Sequence, residues 1–244
     1  MVQCTKGEIL QFISKIKGPN NFIQGCKKFY EIEPRDLVYA ITRKIVIENP
    51  NSEWHLLAGI EILLLTWNAV YIQRLKKDVK EKLEENILSA YTNTREDFES
   101  LKNERLETVD LNDDLTVEKI KRIFKTFSSF KSIGITGASK AIHLINPRLF
   151  MMWDNEIRKN YHRIHSQRGI QETIEECYIK FMKTMQEIAQ EILQQKSLEE
   201  LWKIHPTYLN QPQFVNAFSE TSKREITKML DECNYVKFRK GIDF

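Results

Sequence analysis

The stretch FSSFKSIGITGASKAIHLINPRLFMMWDNEIRKNY, residues 127–161, contains the features that decide the fold. Gly134 precedes a short segment with helical spacing of apolar residues, and Asn146-Pro147 ends that segment. An uninterrupted apolar run, residues 149–153, then leads to Asp154 and a basic helical segment. Because glycine allows close backbone approach and proline cannot continue a helix, the stretch predicts helices joined by short, sharply defined connections.

The same helical spacing extends outward through the rest of the chain. It recurs near residues 7–17, 36–48, 54–75, 78–91, 94–105, 116–127, 170–195 and 213–232. Signals for β-strands are sparse, and 8 Gly and 6 Pro among 244 residues allow few tight turns. The pattern therefore predicts an all-α fold of roughly ten helices.

Charge is distributed unevenly along the chain. The formal net charge is only +3, but the segment from Lys119 to Arg168 has eleven Lys or Arg residues against two acids. A local basic excess of this kind favours a polyanionic partner such as nucleic acid. With 41% hydrophobic and 29% charged residues, the composition is typical of a folded globular protein.

Residues 54–72 are apolar enough to resemble a membrane span, but they include Glu61. A carboxylate in the middle of a span costs roughly 2.5–3.5 kcal/mol even on lenient insertion scales. The segment therefore predicts a buried core helix, and no membrane partner is expected.

The four cysteines, Cys4, Cys26, Cys177 and Cys233, are far apart and form no Cys-x-x-Cys pair. That spacing argues against a disulfide framework, a structural zinc site or an iron–sulfur centre. We expect scattered buried thiols in a reducing cytoplasm, with no metal and no cofactor. The first residues do not read as a signal peptide, which agrees with a cytoplasmic location.

Asp154 is the residue in this stretch most suited to chemistry. It follows five apolar residues and precedes a predicted helix, so its carboxylate lies between an apolar segment and a helix start. Such a carboxylate is a plausible catalytic group. Asp is also a preferred helix N-cap, and the two roles are compatible. The N–H groups expected at the helix start after Gly134 suit an anion such as phosphate.

The stretch resembles the helix-hairpin-helix, Gly/Pro-Asp superfamily of base-excision DNA glycosylases. The hairpin of that family reads Leu-Pro-Gly-hydrophobe-Gly-x-x-x-Ala, and its counterpart here is Phe-Lys-Ser-Ile-Gly at residues 130–134, followed by Ala138. The aspartate of the family lies twenty residues after the second glycine, which is the separation between Gly134 and Asp154. The similarity covers about 35 residues.

The resemblance implies a DNA-glycosylase-like architecture of two lobes with a helix-hairpin-helix element. Residues 1–50 and 150–244 would form a terminal lobe, residues 51–149 a central lobe with the hairpin, and a cleft would lie between them. The implied activity is hydrolysis of the N-glycosidic bond of a damaged base that is flipped out of double-stranded DNA.

Two departures from the family pattern bear on that activity. Lys131-Ser132 replaces the Pro-Gly of the hairpin turn, and Thr136 occupies the position of the lysine in members that also cleave the strand. Strict transfer therefore predicts a monofunctional glycosylase. Lys140 lies one helical turn after Thr136, and we hypothesise that its long side chain brings an amine to the vacant position.

The predicted site residues have three roles. Asp154 is the catalytic candidate, with Lys140 as the second. Contacts with the DNA backbone are assigned to Lys131, Ser132, Gly134, Thr136, Gly137, Arg148 and Arg158. The base pocket is assigned to Trp67, Tyr71, Trp153 and Tyr161.

Two other interpretations remain open. The chain is alternatively a non-catalytic helical DNA-binding protein that keeps the hairpin after losing catalysis. Arg158 and His165 also match the loose Arg-x(4–6)-His pattern of HEPN-type ribonucleases, in which these two side chains would act on an RNA phosphodiester.

Overall fold

The computed structural model describes residues 4–50, 52–166, 171–206 and 224–244, and these are helical with no strand. The all-α prediction is therefore confirmed. The described part contains thirteen α-helices and a final π-helical turn. They are α1 (Lys6–Ile16), α2 (Pro19–Ile32), α3 (Asp36–Glu48), α4 (Glu53–Trp67), α5 (Ala69–Gln73), α6 (Lys77–Lys80), α7 (Leu83–Leu101), α8 (Asp114–Ser129), α9 (Gly134–Ile145), α10 (Asn155–His165), α11 (Ile174–Gln195), α12 (Leu198–Ile204), α13 (Ile226–Asn234) and the π-helical turn Tyr235–Arg239.

Several helix boundaries differ from those predicted. The helices expected at 78–91 and 94–105 are largely one helix, α7, within which the hydroxyl of Thr94 donates to the carbonyl of Ala90 (2.7 Å). The helix expected at 54–75 is interrupted at Asn68, where α4 ends and α5 begins. Of the helix predicted at 213–232, residues 213–223 lie outside the described residues.

Side-chain caps explain where several helices begin. Thr5, Thr173 and Ser197 each form a capping box with a glutamate three residues later, at the starts of α1, α11 and α12. Two aspartates, Asp113 and Asp154, cap α8 and α10. Each cap satisfies backbone N–H groups that a helix start otherwise leaves unpaired.

The helices pack in two groups. Helices α3, α4, α7, α8 and α9 pack against one another, with α9 in contact with α3, α4 and α8. Helices α1, α2, α10, α11 and α13 form the second group, and α12 packs on α2. The packing of α11 on α8 joins the groups. Helix α3 packs with the central group, although the sequence interpretation put residues 1–50 in the terminal lobe.

Helix α4 is a core helix. Leu56, Leu57, Ile60, Leu63 and Leu64 are all buried in the main hydrophobic cluster. Among the described residues, no helix combines the length and apolar character needed to cross a membrane.

Candidate functional site

A tight turn connects α8 to α9. The carbonyl of Phe130 accepts hydrogen bonds from the amides of Ile133 (3.0 Å) and Gly134 (2.9 Å). Gly134 has φ +67°, in the left-handed region that favours glycine. A Cβ at this position would lie 2.8 Å from the ring of Tyr71, whose hydroxyl donates to the carbonyl of Lys131 (2.8 Å). The backbone conformation and the close approach of Tyr71 both require glycine here.

The apolar run at residues 149–153 is buried and non-helical, and core side chains form hydrogen bonds with its backbone. Ser139 Oγ accepts a hydrogen bond from the amide of Trp153 (2.9 Å). The hydroxyl of Tyr178 accepts from the amide of Met151 (3.1 Å) and donates to its carbonyl (2.7 Å). These bonds hold the run in place, and they therefore fix the position of Asp154, which follows it directly.

His143 is a third support of the same run. Its Nδ1–H donates to the carbonyl of Phe150 (2.7 Å), so Nε2 accepts from the hydroxyl of Tyr39 (2.8 Å). Burial, with added repulsion from Arg43 and Lys228, lowers the pKa of His143 to about 3. The neutral ring with one fixed tautomer is therefore part of the folded structure at neutral pH.

Asp154 is the N-cap of α10 and also lines a cleft. Its Oδ1 accepts hydrogen bonds from the amides of Glu156 (2.9 Å) and Ile157 (3.0 Å). Because both capping bonds use one oxygen, Oδ2 keeps its lone pairs for a group in the cleft. The structure therefore supports the capping role directly and leaves the carboxylate available for chemistry.

The cleft has a volume of about 630 Å³ and a strongly basic lining. Its charged residues are six cations and two acids. The cations are Arg35, Arg74, Lys131, Lys140, Arg158 and Arg239, and the acids are Asp154 and Asp231. The start of α9 contributes Gly134, Ile135 and Thr136 to the same lining. An anionic ligand is the partner that this charge balance favours.

Lys140 lies in the inner part of the cleft. Its ammonium donates to the carbonyl of Trp67 (2.6 Å) and lies 5.8 Å from the centroid of the Trp67 ring. Burial lowers the pKa of Lys140 to about 8, although the carboxylates of Asp154 and Asp231 oppose the shift. An amine with this pKa is partly neutral, and therefore nucleophilic, in mildly alkaline solution.

Asp231 is a second carboxyl group of the cleft, which the sequence analysis missed. It is 5% exposed, and its Oδ2 has no hydrogen-bond partner among the described residues, although Lys228 Nζ lies 3.6 Å away. Burial raises the pKa of Asp231 to about 7. A sequence signal did exist, since Asp231 lies among the apolar residues Met229, Leu230 and Cys233 of a predicted helix.

Aromatic side chains also line the cleft. Trp67 and Tyr71 are present as predicted, and Tyr235 adds a third ring. Arg35, which the sequence analysis missed, donates to the hydroxyl of Tyr235 (3.1 Å), and its carbonyl accepts from the indole of Trp67 (3.0 Å). Residues 35 and 235 are far apart in the sequence, so no local sequence pattern shows that both line the cleft.

Three of the residues assigned to DNA-backbone contact lie elsewhere. Ser132 is buried and accepts a hydrogen bond from Asn86 (2.9 Å), and Gly137 is buried within α9. Arg148 pairs with Glu225 (3.6 Å) and lines a different pocket. The prediction is corrected for these three positions: Ser132 and Gly137 are packed against neighbouring helices, and Arg148 lies beyond the other end of α9.

Two residues assigned to the base pocket are core residues. Trp153 is 1% exposed and stacks on Phe181, with ring centroids 5.7 Å apart. Tyr161 is fully buried and donates its hydroxyl to Asn234 (2.9 Å). Both rings fill the interior behind Asp154, so the assignment of Trp153 and Tyr161 to a base pocket is corrected.

The pair proposed for ribonuclease chemistry does not share this cleft. Arg158 lines the cleft, but His165 lies outside it, with Nε2 2.9 Å from the hydroxyl oxygen of Thr184. Burial lowers the pKa of His165 to about 4. The geometry gives the HEPN-type interpretation no support.

No protein-family model, no curated protein and no solved structure matches the chain. The arguments for function therefore rest on the cleft itself.

Proposed function

We propose that this chain binds double-stranded DNA and hydrolyses the N-glycosidic bond of a nucleotide turned into the cleft. One observation carries the proposal. The carboxylate of Asp154 lines the same basic cleft as the glycine turn at Gly134, with the amine of Lys140 between aromatic and polar walls. An acid, an anion-binding helix start and a pocket are thus placed together.

The DNA backbone would bind at the start of α9. Helices leave their first N–H groups without intrahelical partners, and such groups bind phosphate. Lys131 and Arg158 add positive charge beside this helix start. In this proposal α8, the turn and α9 act as the helix-hairpin-helix element that the sequence resembles.

The cleft would receive a single flipped nucleotide. Enzymes that act on a base take it out of the stack, because the reacting atom is inaccessible in the duplex. Trp67 and Tyr71 offer aromatic faces to the base, and Asp231 and Lys140 offer polar groups to its edge. The Oδ2 atom of Asp231 is buried and faces Lys228 Nζ at 3.6 Å, so the part of this carboxyl group that lines the cleft would have to contact the base.

Asp154 would act on the sugar. As the bond between C1′ and the base nitrogen breaks, positive charge develops on the sugar ring, and a nearby carboxylate stabilises it. Water then bonds to C1′, one of its protons passes to Asp154, and the departing base takes a proton from solvent. The products are a free base and an abasic site.

Lys140 is hypothesised to be an alternative nucleophile. Its neutral amine would attack C1′ in place of water, and the bond between C1′ and the base would break, with the base taking a proton from solvent. The nitrogen would then lose its remaining protons as the C1′–O4′ bond opens and O4′ takes a proton, which leaves an imine between Lys140 and C1′ of the ring-opened sugar. The pKa of about 8 supports this role, since part of the amine is neutral at a working pH near 8. Borohydride would reduce the imine to a stable covalent adduct.

A non-catalytic DNA-binding protein is the second candidate function. Its specific support is the pair of capping bonds to Asp154, which account for an aspartate at this position without any chemistry. Under this proposal the basic cleft binds the duplex and leaves every glycosidic bond intact.

A screen for base release tests the two candidates. Duplexes with uracil, 8-oxoguanine, alkylated bases or mismatches are incubated with wild-type protein and with D154N. Asn caps helices as well as Asp, so D154N keeps α10 folded while it removes the charge. D113N, the same change at the exposed cap of α8, is the matched control.

We expect wild type and D113N to release a base from at least one duplex, and D154N to bind that duplex but release at least about 100-fold less. Duplex binding by all three proteins without release from any duplex would instead establish the non-catalytic function. A borohydride-trapped adduct with abasic DNA that is absent in Lys140→Met would assign the nucleophile to Lys140. Base release without such an adduct would assign the reaction to water.

A further inference from the structure

A second chemical cluster lies in the interior, at residues that do not line the cleft. Cys26 of α2, His205 at the end of α12 and Glu232 of α13 each offer a metal-ligating atom, and these atoms lie within 4.8 Å of one another. All three residues are buried, at 0%, 3% and 0% exposure. We propose that Cys26, His205 and Glu232 form a structural site for one Zn²⁺ ion.

The hydrogen bonding of His205 points to a missing ligand. Its Nε2 lies 2.8 Å from Glu232 Oε2, whereas its buried Nδ1 makes no hydrogen bond of regular geometry among the described residues, although the thiol of Cys26 is close enough to interact with the ring. An unpaired buried nitrogen is unfavourable, and coordination to a metal would satisfy it. Glu232 would then hold the imidazole through Nε2–H or bind the ion itself, and both arrangements recur at zinc sites.

The donor atoms suit zinc among the common protein metals. A thiolate, an imidazole and a carboxylate are a soft-to-intermediate set, whereas Mg²⁺ and Ca²⁺ prefer oxygen alone. Cys233 is a candidate for a fourth ligand, since its thiol neighbours that of Cys26. If Cys26 and Cys233 both bind as thiolates, their two negative charges balance the two positive charges of Zn²⁺, and the protein interior gains no net charge.

The site would join three separate elements. Helix α12 has seven residues and packs on α2, and α13 also packs on α2. A shared ion would pin the end of α12 to both. No metal site was expected from the sequence, because no two cysteines have ligand-like spacing. Residues from distant helices that meet in the fold leave no local motif.

Metal content and stability test this site in the absence of DNA, so the outcome is separate from that of the proposed function. Zinc is measured by elemental analysis in protein as purified, after chelation and after zinc is restored. Cobalt is then added to the chelated protein, because a thiolate–cobalt bond gives a charge-transfer absorption band. The variants are C26S, E232Q and the control C177S, which changes a buried cysteine outside the cluster.

We expect one zinc per chain in wild type and C177S, a cobalt–thiolate band in both, and a rise in Tm when zinc is restored. C26S should reduce the band to the intensity of one thiolate at most, because only Cys233 would remain as a sulfur ligand. E232Q, which preserves the shape of the side chain, should weaken zinc binding at least about tenfold. If wild type takes up neither zinc nor cobalt, or if folded C26S and E232Q both bind as tightly as C177S, the proposed site is wrong.

Discussion

At the scale of single residues, Gly134 has the most demanding position in the cleft. Its φ of +67° and the ring of Tyr71, 2.8 Å from where a Cβ would lie, each disfavour any residue other than glycine. The start of α9 takes its direction from this residue. Because the N–H groups of that helix start face the cleft in the proposed function, the glycine links local backbone geometry to DNA binding.

Gly134→Ala tests what this backbone geometry contributes to stability. The left-handed conformation alone costs an L-residue about 1–2 kcal/mol, and the contact with Tyr71 adds to the loss. We expect the free energy of unfolding, measured with urea, to fall by at least about 1 kcal/mol. The control is Gly7→Ala within α1, where a Cβ meets nothing closer than 4.0 Å and the change favours the helix.

The same experiment separates conformation from contact. Tyr71→Ala removes the ring, so Gly134→Ala in that background should recover part of the lost stability but not all of it. Full recovery would mean that the backbone conformation imposes no cost, and equal stability of Gly134→Ala and wild type would contradict the account of the turn.

The sequence alone indicated several individual site residues. The twenty-residue separation of Gly134 and Asp154 and the spacing of Lys140 from Thr136 are local features, and all four residues line the cleft. Whether a side chain is exposed depends on the whole fold, so its neighbours in the sequence do not determine it. Trp153 and Asp154 are neighbours in the chain, yet one is in the core and the other is in the cleft wall.

At the scale of elements, the buried non-helical run at residues 149–153 is the connection that positions Asp154. Its backbone polar groups are buried, so they need partners from other elements. His143 of α9 supplies one, through its bond to the carbonyl of Phe150. The packing of α9 behind the run therefore depends on a histidine that remains neutral.

A pH dependence of stability follows from His143. Its pKa of about 3 in the folded state is below the value of about 6.5 in the unfolded chain, so the unfolded state takes up a proton first. The stabilisation is complete above pH 6.5 and is lost as the pH falls from 6.5 toward 3. Between pH 6.5 and 5, this one group accounts for a loss of about 2 kcal/mol.

Urea unfolding of wild type and His143→Gln at pH 7 and pH 5 measures the effect. The variant should be less stable at pH 7, because the bonds to Tyr39 and Phe150 change, but its stability should fall less on acidification. Replacement of the exposed His162 by Gln should keep the wild-type pH dependence. An unchanged pH dependence in His143→Gln would contradict the assigned neutral state.

At the scale of the whole molecule, the cleft gathers residues from distant parts of the chain. Arg35, Lys131 and Arg239 are widely separated in sequence but line one cavity. The local basic excess predicted a polyanion partner, but it lies between residues 119 and 168 and so missed the contributions of residues 35, 74 and 239. The fold class followed from periodicity, whereas the composition of the cleft depends on long-range packing.

Salt dependence of duplex binding tests the electrostatic part of the account. Binding should weaken steeply with added salt, because cations of the protein release counterions from the DNA backbone. Lys131→Ala should weaken binding and lower the slope of log K against log salt by about 1. Lys203→Ala, at an exposed lysine outside the cleft lining, should change neither. Equal effects of the two substitutions would show that DNA does not occupy the cleft.

The most direct test of the central claim requires no knowledge of the base lesion. Affinity is measured for duplexes that contain either a cationic pyrrolidine analogue of the abasic sugar or its neutral tetrahydrofuran counterpart. If the carboxylate of Asp154 faces the sugar of a flipped nucleotide, wild type should prefer the cationic duplex by at least about tenfold, which is 1.4 kcal/mol, and D154N should lose the preference. Equal affinity of wild type for both duplexes, or an unchanged preference in D154N, would contradict the claim.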